Sequence, residues 1–278
     1  MENKICLITG GTSGIGKATA IELARMGGTI VLGCRDTDRG ETTRREIISL
    51  TGNNDIHIIC ADLSSQRAIA GMSREFAERF SSLHLLINNA GAVFPRRELT
   101  EDGIEKTFAL NHLAYFLTSK LLLALIKKST PARIVNVTSL TYKYVHFNPG
   151  NLQGEIKFSP ALAYAQSKLA NILFTRELAR RLNNSGVTVN CVHPGGIKTK
   201  IYNATALHRV YAKLFRWTLE PPGKGAERVV YLAAHPEVET LTGGYFQDSQ
   251  LTQPTGDAVN QDYALRLWEI SEQLTRRY

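Results

Sequence analysis

Short apolar runs of strand length alternate along the chain with longer stretches whose apolar residues recur every three or four positions. The runs lie at 4–9, 29–34, 55–60, 83–87, 133–137, 187–192 and 243–246. Brevity and richness in Val, Ile, Leu and Cys suit strands buried on both faces. Helical periodicity fills the intervals at 17–26, up to 80, at about 100–127, up to about 183, and at 205–219, 222–234 and 257–276. This alternation predicts an α/β protein with one doubly wound, mostly parallel sheet of about seven strands. No internal repeat or linker breaks the pattern, so 1–278 reads as a single domain. The segment 142–160, with Pro149, Gly150 and Gly154, keeps neither period. It reads as an irregular loop at a strand's C-terminal end, a plausible wall for a ligand.

Composition narrows the partners. With 43% apolar and 21% charged residues the chain is of globular type. A net charge of +8 suits a phosphate-bearing ligand, an acidic membrane surface or nucleic acid. The basic residues are scattered, with doublets such as Arg96-Arg97 and Lys127-Lys128 but no long tract and no nucleic-acid-binding signature. A phosphate-rich small molecule needs the fewest further assumptions, and no nucleic acid is expected. The apolar run 121–126 is closed off by Lys120 and Lys127, far short of the roughly 20 residues that cross a bilayer. The first strand starts near Lys4, which argues against a signal peptide or an N-terminal anchor and for a cytoplasmic protein. Cys6, Cys34, Cys60 and Cys191 are isolated and each falls in a predicted strand. They read as small apolar core residues in a reducing compartment, with no metal implied.

The first strand runs into Gly10-Gly11-Thr12-Ser13-Gly14-Ile15-Gly16, and a helix follows. Strand, glycine loop and helix together present backbone N–H groups and a helix N-terminus to a pyrophosphate. The spacing is TGxxxGxG, with Gly10, Gly14 and Gly16, and the glycines allow close approach of ligand to backbone. An acidic residue ending the second strand would hold the ribose hydroxyls of NAD. Arg35 stands there instead, followed by Asp36. A guanidinium suits a 2′-phosphate, so NADP(H) is favoured over NAD(H), with Lys17 and Arg39 as helpers. Asp36 also fits as the cap of the next helix. Asp62-Leu63 after the third strand could meet an adenine amino group, although Asp62 could equally cap the following helix. Asn88-Asn89-Ala90-Gly91 ends the fourth strand, where small residues let a nucleotide pass close to the chain.

Tyr164 and Lys168 lie four apart in a helical stretch and so project side by side. A cation beside a phenol favours the phenolate and suits the pair to acid/base work. Asn111 sits inside a predicted helix, where Asn is a mediocre former, so it needs a local hydrogen bond or a function to explain it.

Taken together these residues resemble the short-chain dehydrogenase/reductase family over essentially the whole chain. The resemblance implies a Rossmann fold with a cofactor half at about 1–140 and a catalytic and substrate half at about 141–278. It places the cofactor on Gly10, Thr12, Ser13, Gly14, Ile15, Gly16, Arg35, Asp36, Asp62, Leu63, Asn89, Ala90, Gly91, Tyr164, Lys168, Pro194, Gly195, Ile197 and Thr199. It assigns catalysis to Asn111, Ser139, Tyr164 and Lys168, with Asn111 holding a water that links Lys168 to solvent. Gly-Cys-Arg-Asp after the second strand, the Tyr164 to Asn171 stretch and Leu267-Trp268 look most like the retinol dehydrogenase branch. That branch implies NADP(H) and interconversion of a lipophilic alcohol with its aldehyde or ketone, in a homodimer or homotetramer.

Two rival classes remain. A dinucleotide-binding redox sensor or regulator would lack the Tyr and Lys found here. Steroid- or polyketide-type carbonyl reduction keeps the same chemistry on another substrate; enoyl reductases, dehalogenases and epimerases are disfavoured by the Tyr–Lys spacing, the intact glycine loop and the chain's length. The segment 199–219 mixes Ile201, Tyr202, Tyr211, Phe215 and Trp217 with Arg209, Lys213 and Arg216. An apolar lid over the substrate is expected there; contact with an anionic membrane surface and plain packing are the alternatives.

Overall fold

The computed structural model describes residues 1–198 and 219–278. Among these residues eight strands form one sheet: β1 (Ile5–Thr9), β2 (Thr29–Cys34), β3 (Ile56–Cys60), β4 (Leu85–Asn88), β5 (Ala132–Val137), β6 (Val187–His193), β7 (Tyr245–Gln247) and β8 (Gln250–Thr252). Their order is β3-β2-β1-β4-β5-β6-β7-β8. Neighbours are parallel as far as β7, and β8 returns antiparallel to it. The helices are α1 (Gly14–Arg25), α2 (Thr37–Thr51), α3 (Gln66–Arg79), α4 (Lys106–Lys128), α5 (Pro160–Arg181), α6 (Pro222–Ala234) and α7 (Gln261–Leu274).

Side chains alternate across the sheet with a period of two. Leu7 and Val31 join Phe76, Phe116 and Phe174 on the face covered by α3, α4 and α5. Cys6, Ile8, Ile30 and Leu32 join Leu23, Ile47 and Leu232 on the face covered by α1, α2 and α6. A third cluster, with Leu169, Leu173 and Leu267, seats α7 on α5. Each such side chain contributes about 1.5–3 kcal/mol on burial, which makes two-sided coverage the dominant force in this architecture.

Several boundaries differ from expectation, each for a local reason. The eighth strand has three residues, two of them exposed, so it leaves no apolar run to read. Asp248 and Ser249, at φ 50° and 62°, make the tight turn into it without the Asn-Gly or Asp-Gly pair usual there. The helix expected from 100 begins only at Lys106, because the Glu105 carboxylate accepts from Thr107 N and Phe108 N at 2.7 and 2.8 Å and caps it there. Within α4, Ala109–Leu113 widens into a π turn. The helix expected from 257 is first a 3-10 turn, Gly256–Val259, and α7 starts once the Asn260 side chain accepts from Tyr263 N. Cys60 is exposed, unlike the buried Cys6, Cys34 and Cys191, because β3 is an edge strand. Among the described residues α4 is the one helix long and apolar enough to cross a membrane, and 67% of its apolar window is buried inside the protein.

The chain order reverses between β1 and β4, and a cleft opens at the C-terminal ends of these strands, as open α/β sheets dictate.

Candidate active site

The cleft has a volume of about 810 Å³, ample for a dinucleotide. Its first wall is made of backbone. Thr9 ends β1 and its hydroxyl accepts from Asn89 N at 2.9 Å and Ala90 N at 3.2 Å while donating to Ile87 O. Asn89 answers with its amide, donating to Thr9 O at 2.9 Å. These bonds fasten the ends of β1 and β4 together across the switch point. Gly10 then turns at φ 67°, where a Cβ would stand 3.0 Å from Ala90 Cα. Gly16 packs tighter still: a Cβ would lie 2.4 Å from Gly10 O and 2.5 Å from the Asn89 amide nitrogen. Ser13 precedes α1 in extended geometry, and its side chain makes no cap hydrogen bond. The first N–H groups of α1 are thus left for an anion, beside Thr12, Ser13, Gly14 and Ile15 on the cleft wall. These are features that fit a pyrophosphate.

The opposite wall is made of side chains. Ser139, Tyr164 and Lys168 all line the cleft, from just beyond β5 and from the second and third turns of α5. The Lys168 ammonium donates to Val137 O at 3.0 Å and stands 5.5 Å from the centre of the Tyr164 ring and 5.6 Å from that of Tyr115. Burial pushes Lys168 down to about 7. Burial, then the neighbouring Tyr164, raise Tyr115 well above the ordinary phenol range, so Tyr115 is a neutral wall. Ser139 Oγ accepts from Thr141 N at 3.3 Å. Beneath this wall lies a buried polar lattice. Asn88 donates to Asn136, Asn136 to Thr175, Thr175 to Asn171 O, and Asn171 to Asn111 O, at 2.7–3.0 Å. His112 bridges Asn171 to Ser271 of α7, and burial holds it neutral, down to about 4.

Of the residues singled out from the sequence, Gly10, Thr12, Ser13, Gly14, Ile15, Arg35, Asp62, Leu63, Asn89, Ala90, Gly91, Pro194, Gly195 and Ile197 line the same cleft. Others stand off it. Gly16 lies behind the loop as a packing glycine. Asp36 caps α2 by accepting from Arg39 N at 2.9 Å. Lys17 turns to Glu46 in an ion pair. Asp62 accepts from Ser64 N, and the cap of α3 is Ser65, so Asp62 is not that helix's cap. Asn111 is fully buried behind the wall; its amide accepts from Ala92 N and donates to Ala92 O and Ser167 Oγ, at 2.9–3.1 Å. Local hydrogen bonds thus account for an Asn inside a helix. Thr199 and all of the expected lid except Leu219 lie outside the described residues.

Three residues passed over in the sequence brace the far end. Arg228 of α6 donates to Pro194 O at 2.8 Å and pairs with Glu220 and Asp248. Gly195, at φ 95°, has no room for a Cβ, which would meet the Arg228 guanidinium at 2.4 Å. Glu220 also bridges to Ile197, with Glu220 N donating to Gly196 O and Lys198 N to Glu220 O. A lone Arg in a helix carries no local signal of such a role. Among the described residues no cluster of three or more His, Cys, Asp or Glu could hold a metal ion.

Residues 4–209 match the family model for short chain dehydrogenases. The chain belongs to the short-chain dehydrogenase family. Within this family it is 41% identical over 273 residues to retinol dehydrogenase 11 of Mus musculus, covering 98% of this chain and 86% of that protein. It is 40% identical to retinol dehydrogenase 14 of Homo sapiens, with the same coverage. A solved structure from Mycobacterium paratuberculosis superposes with a TM-score of 0.78 at 33% identity, covering 99% of this chain and 94% of that one. The complex of Pseudomonas aeruginosa RhlG with NADP shares the fold at 24% identity and a TM-score of 0.69, covering 89% and 95%. The protein is an oxidoreductase of retinol dehydrogenase-like type, and its family binds a nicotinamide dinucleotide.

Proposed function

We propose that this short-chain dehydrogenase uses NADP(H) to interconvert a lipophilic, retinoid-like alcohol and its aldehyde or ketone. The observation that carries the reading is that Ser139, Tyr164 and Lys168 share one cleft with the glycine loop and with Arg35. A nicotinamide dinucleotide, held along the glycine loop and Arg35, would supply or accept the hydride. Tyr164 gives a proton to the carbonyl oxygen in reduction and takes one from the alcohol in oxidation. Ser139 has its oxygen engaged by Thr141 N, which leaves its O–H to donate to the substrate oxygen as charge develops there. Lys168 carries its charge below pH about 7 and loses it above, and the ammonium form stabilises a phenolate on Tyr164. Asn111 acts here by clipping Ala92 to Ser167, which fixes the loop opposite Lys168.

Arg35 is exposed and lines the cleft, while Asp36 is committed to its helix cap; this supports a 2′-phosphate over a bare ribose. Val93, Phe94 and Leu110 line the cleft beside the catalytic wall and supply apolar surface for a lipophilic substrate. The names of the relatives support the retinoid class. The test is a screen of lipophilic aldehydes, ketones and alcohols by nicotinamide absorbance with both cofactors. Retinal-type aldehydes are expected to turn over with NADPH at about tenfold or more the kcat/KM seen with NADH, the worth of one charged hydrogen bond. A preference for NADH, or no turnover of any lipophilic carbonyl, overturns the proposal.

A further inference from the structure

We propose that Cys34 and Cys60 form an oxidation-sensitive dithiol whose disulfide closes at the adenosine end of the cleft and weakens dinucleotide binding, a step that rests on the cofactor reading above. The two residues are register partners at the ends of parallel β2 and β3. Both lie on one face of the sheet, two steps beyond Leu32 and Ile58. Hydrogen-bonded strands hold paired Cα atoms about 4.8 Å apart, inside the range of roughly 4.4–6.8 Å that a disulfide spans. Gly40 of α2 presses on Cys34 from above, where a Cβ would come within 2.9 Å of Cys34 Sγ. Cys60 is exposed and Cys34 is buried against the cleft. Their neighbours Arg35 and Ala61-Asp62 also line the cleft, and Ala61 N donates to Cys34 O at 2.7 Å.

Burial, and then the nearby Cys60 thiol, push Cys34 up to about 11, so the exposed Cys60 reacts first. The oxidant is a hydroperoxide. The Cys60 sulfur attacks a peroxide oxygen; the S–O bond forms, the O–O bond breaks, and a sulfenic acid and an alcohol or water result. The Cys34 sulfur then attacks the Cys60 sulfur. The S–S bond forms, the S–O bond breaks, and hydroxide leaves with the Cys34 proton as water. Two electrons pass from the thiols to the peroxide, and a small dithiol reverses the change. Disulfides favour a Cα separation nearer about 5.5–6 Å, so the new bond spreads the ends of β2 and β3 and shifts Arg35 relative to Asp62. Misplacing one charged hydrogen bond at Arg35 raises the dissociation constant roughly tenfold.

The experiment treats the full chain with hydrogen peroxide, alkylates it, and maps its peptides by mass under non-reducing conditions. NADPH affinity is titrated by fluorescence before oxidation, after it, and after dithiothreitol. The expected result is a linked peptide pair carrying Cys34 and Cys60, a loss of two hydrogens, and a roughly tenfold weaker affinity that dithiothreitol restores. Cys60→Ser, which leaves the cleft lining untouched, should bind NADPH like the reduced parent and lose the shift. Absence of the linked peptide, a linked chain with the reduced chain's affinity, or a shift that persists in Cys60→Ser each overturns the proposal. Failure of the reduced chain to bind any dinucleotide overturns the cofactor reading and the affinity effect with it, while the mass map still decides the bridge.

Discussion

The two walls of the cleft are built on opposite plans. The wall between β1 and β4 presents backbone and keeps its side chains for bracing: Thr9 and Asn89 spend theirs on main-chain groups, and Gly10 and Gly16 contribute by lacking a side chain. The wall from β5 and α5 is the reverse, with Ser139, Tyr164 and Lys168 presented as side chains over a buried lattice that holds their carriers still. Change should accordingly be felt differently on each wall. On the first wall an added atom does the damage and strikes binding and stability; on the second a removed atom does it and strikes turnover.

The sharpest way to break this contrast is Tyr164→Phe. It removes one oxygen from the side-chain wall and should cut turnover by about 10²–10⁴-fold, the usual worth of a positioned acid/base. Equal dinucleotide affinity, by fluorescence titration, is required alongside. Gly16→Ala adds one carbon to the other wall. The gain in helix propensity is about 0.5–1 kcal/mol, and the overlap with the rigid Gly10 carbonyl should cost more, at the upper end of about 1–3 kcal/mol. Thermal melting should therefore show net destabilisation, and unchanged melting would refute the packing role. Arg35→Ala should raise the NADPH dissociation constant about tenfold and leave that for NADH nearly unchanged. A parallel loss for both would deny Arg35 a role in telling them apart.

The smallest effect concerns protons. Burial holds His112 and His193 to about 4 in the fold, below the 6.5 of an ordinary His. The unfolded chain therefore takes up protons first as pH falls. Their contribution is fully present above 6.5 and is lost toward 4, at about 1 kcal/mol per group by one pH unit below 6.5. Denaturant midpoints measured from pH 7 to 5 should fall accordingly, and His112→Gln should flatten part of the slope.

What could be read beforehand follows the range of the interactions. Strand runs, the glycine loop and the Tyr164–Lys168 step are patterns within a few residues, and they stand where the chain pattern put them. On the cleft wall, Ser139, Pro194, Gly195 and Ile197 were recognisable only through the family likeness. The Arg228 brace was silent, because its partners Glu220, Asp248 and Pro194 meet it only in the folded chain. The π turn at Ala109–Leu113 has no compositional mark, and the bonds of the Asn111 amide to Ala92 and Ser167 join residues too far apart in the chain to be foreseen. Cys60 was misplaced because an edge strand reads like an inner one until its neighbours are known.

The Ile197–Glu220 bridge, held under Arg228, clasps the chain beyond β6 to the start of α6. Such a clasp makes its ends answer to one another: a substitution at Asp248, well away from any incoming molecule, loosens Arg228 and through it the carbonyl of Pro194 on the cleft wall. Activity in this molecule can therefore be tuned from behind, by residues that never meet what is bound.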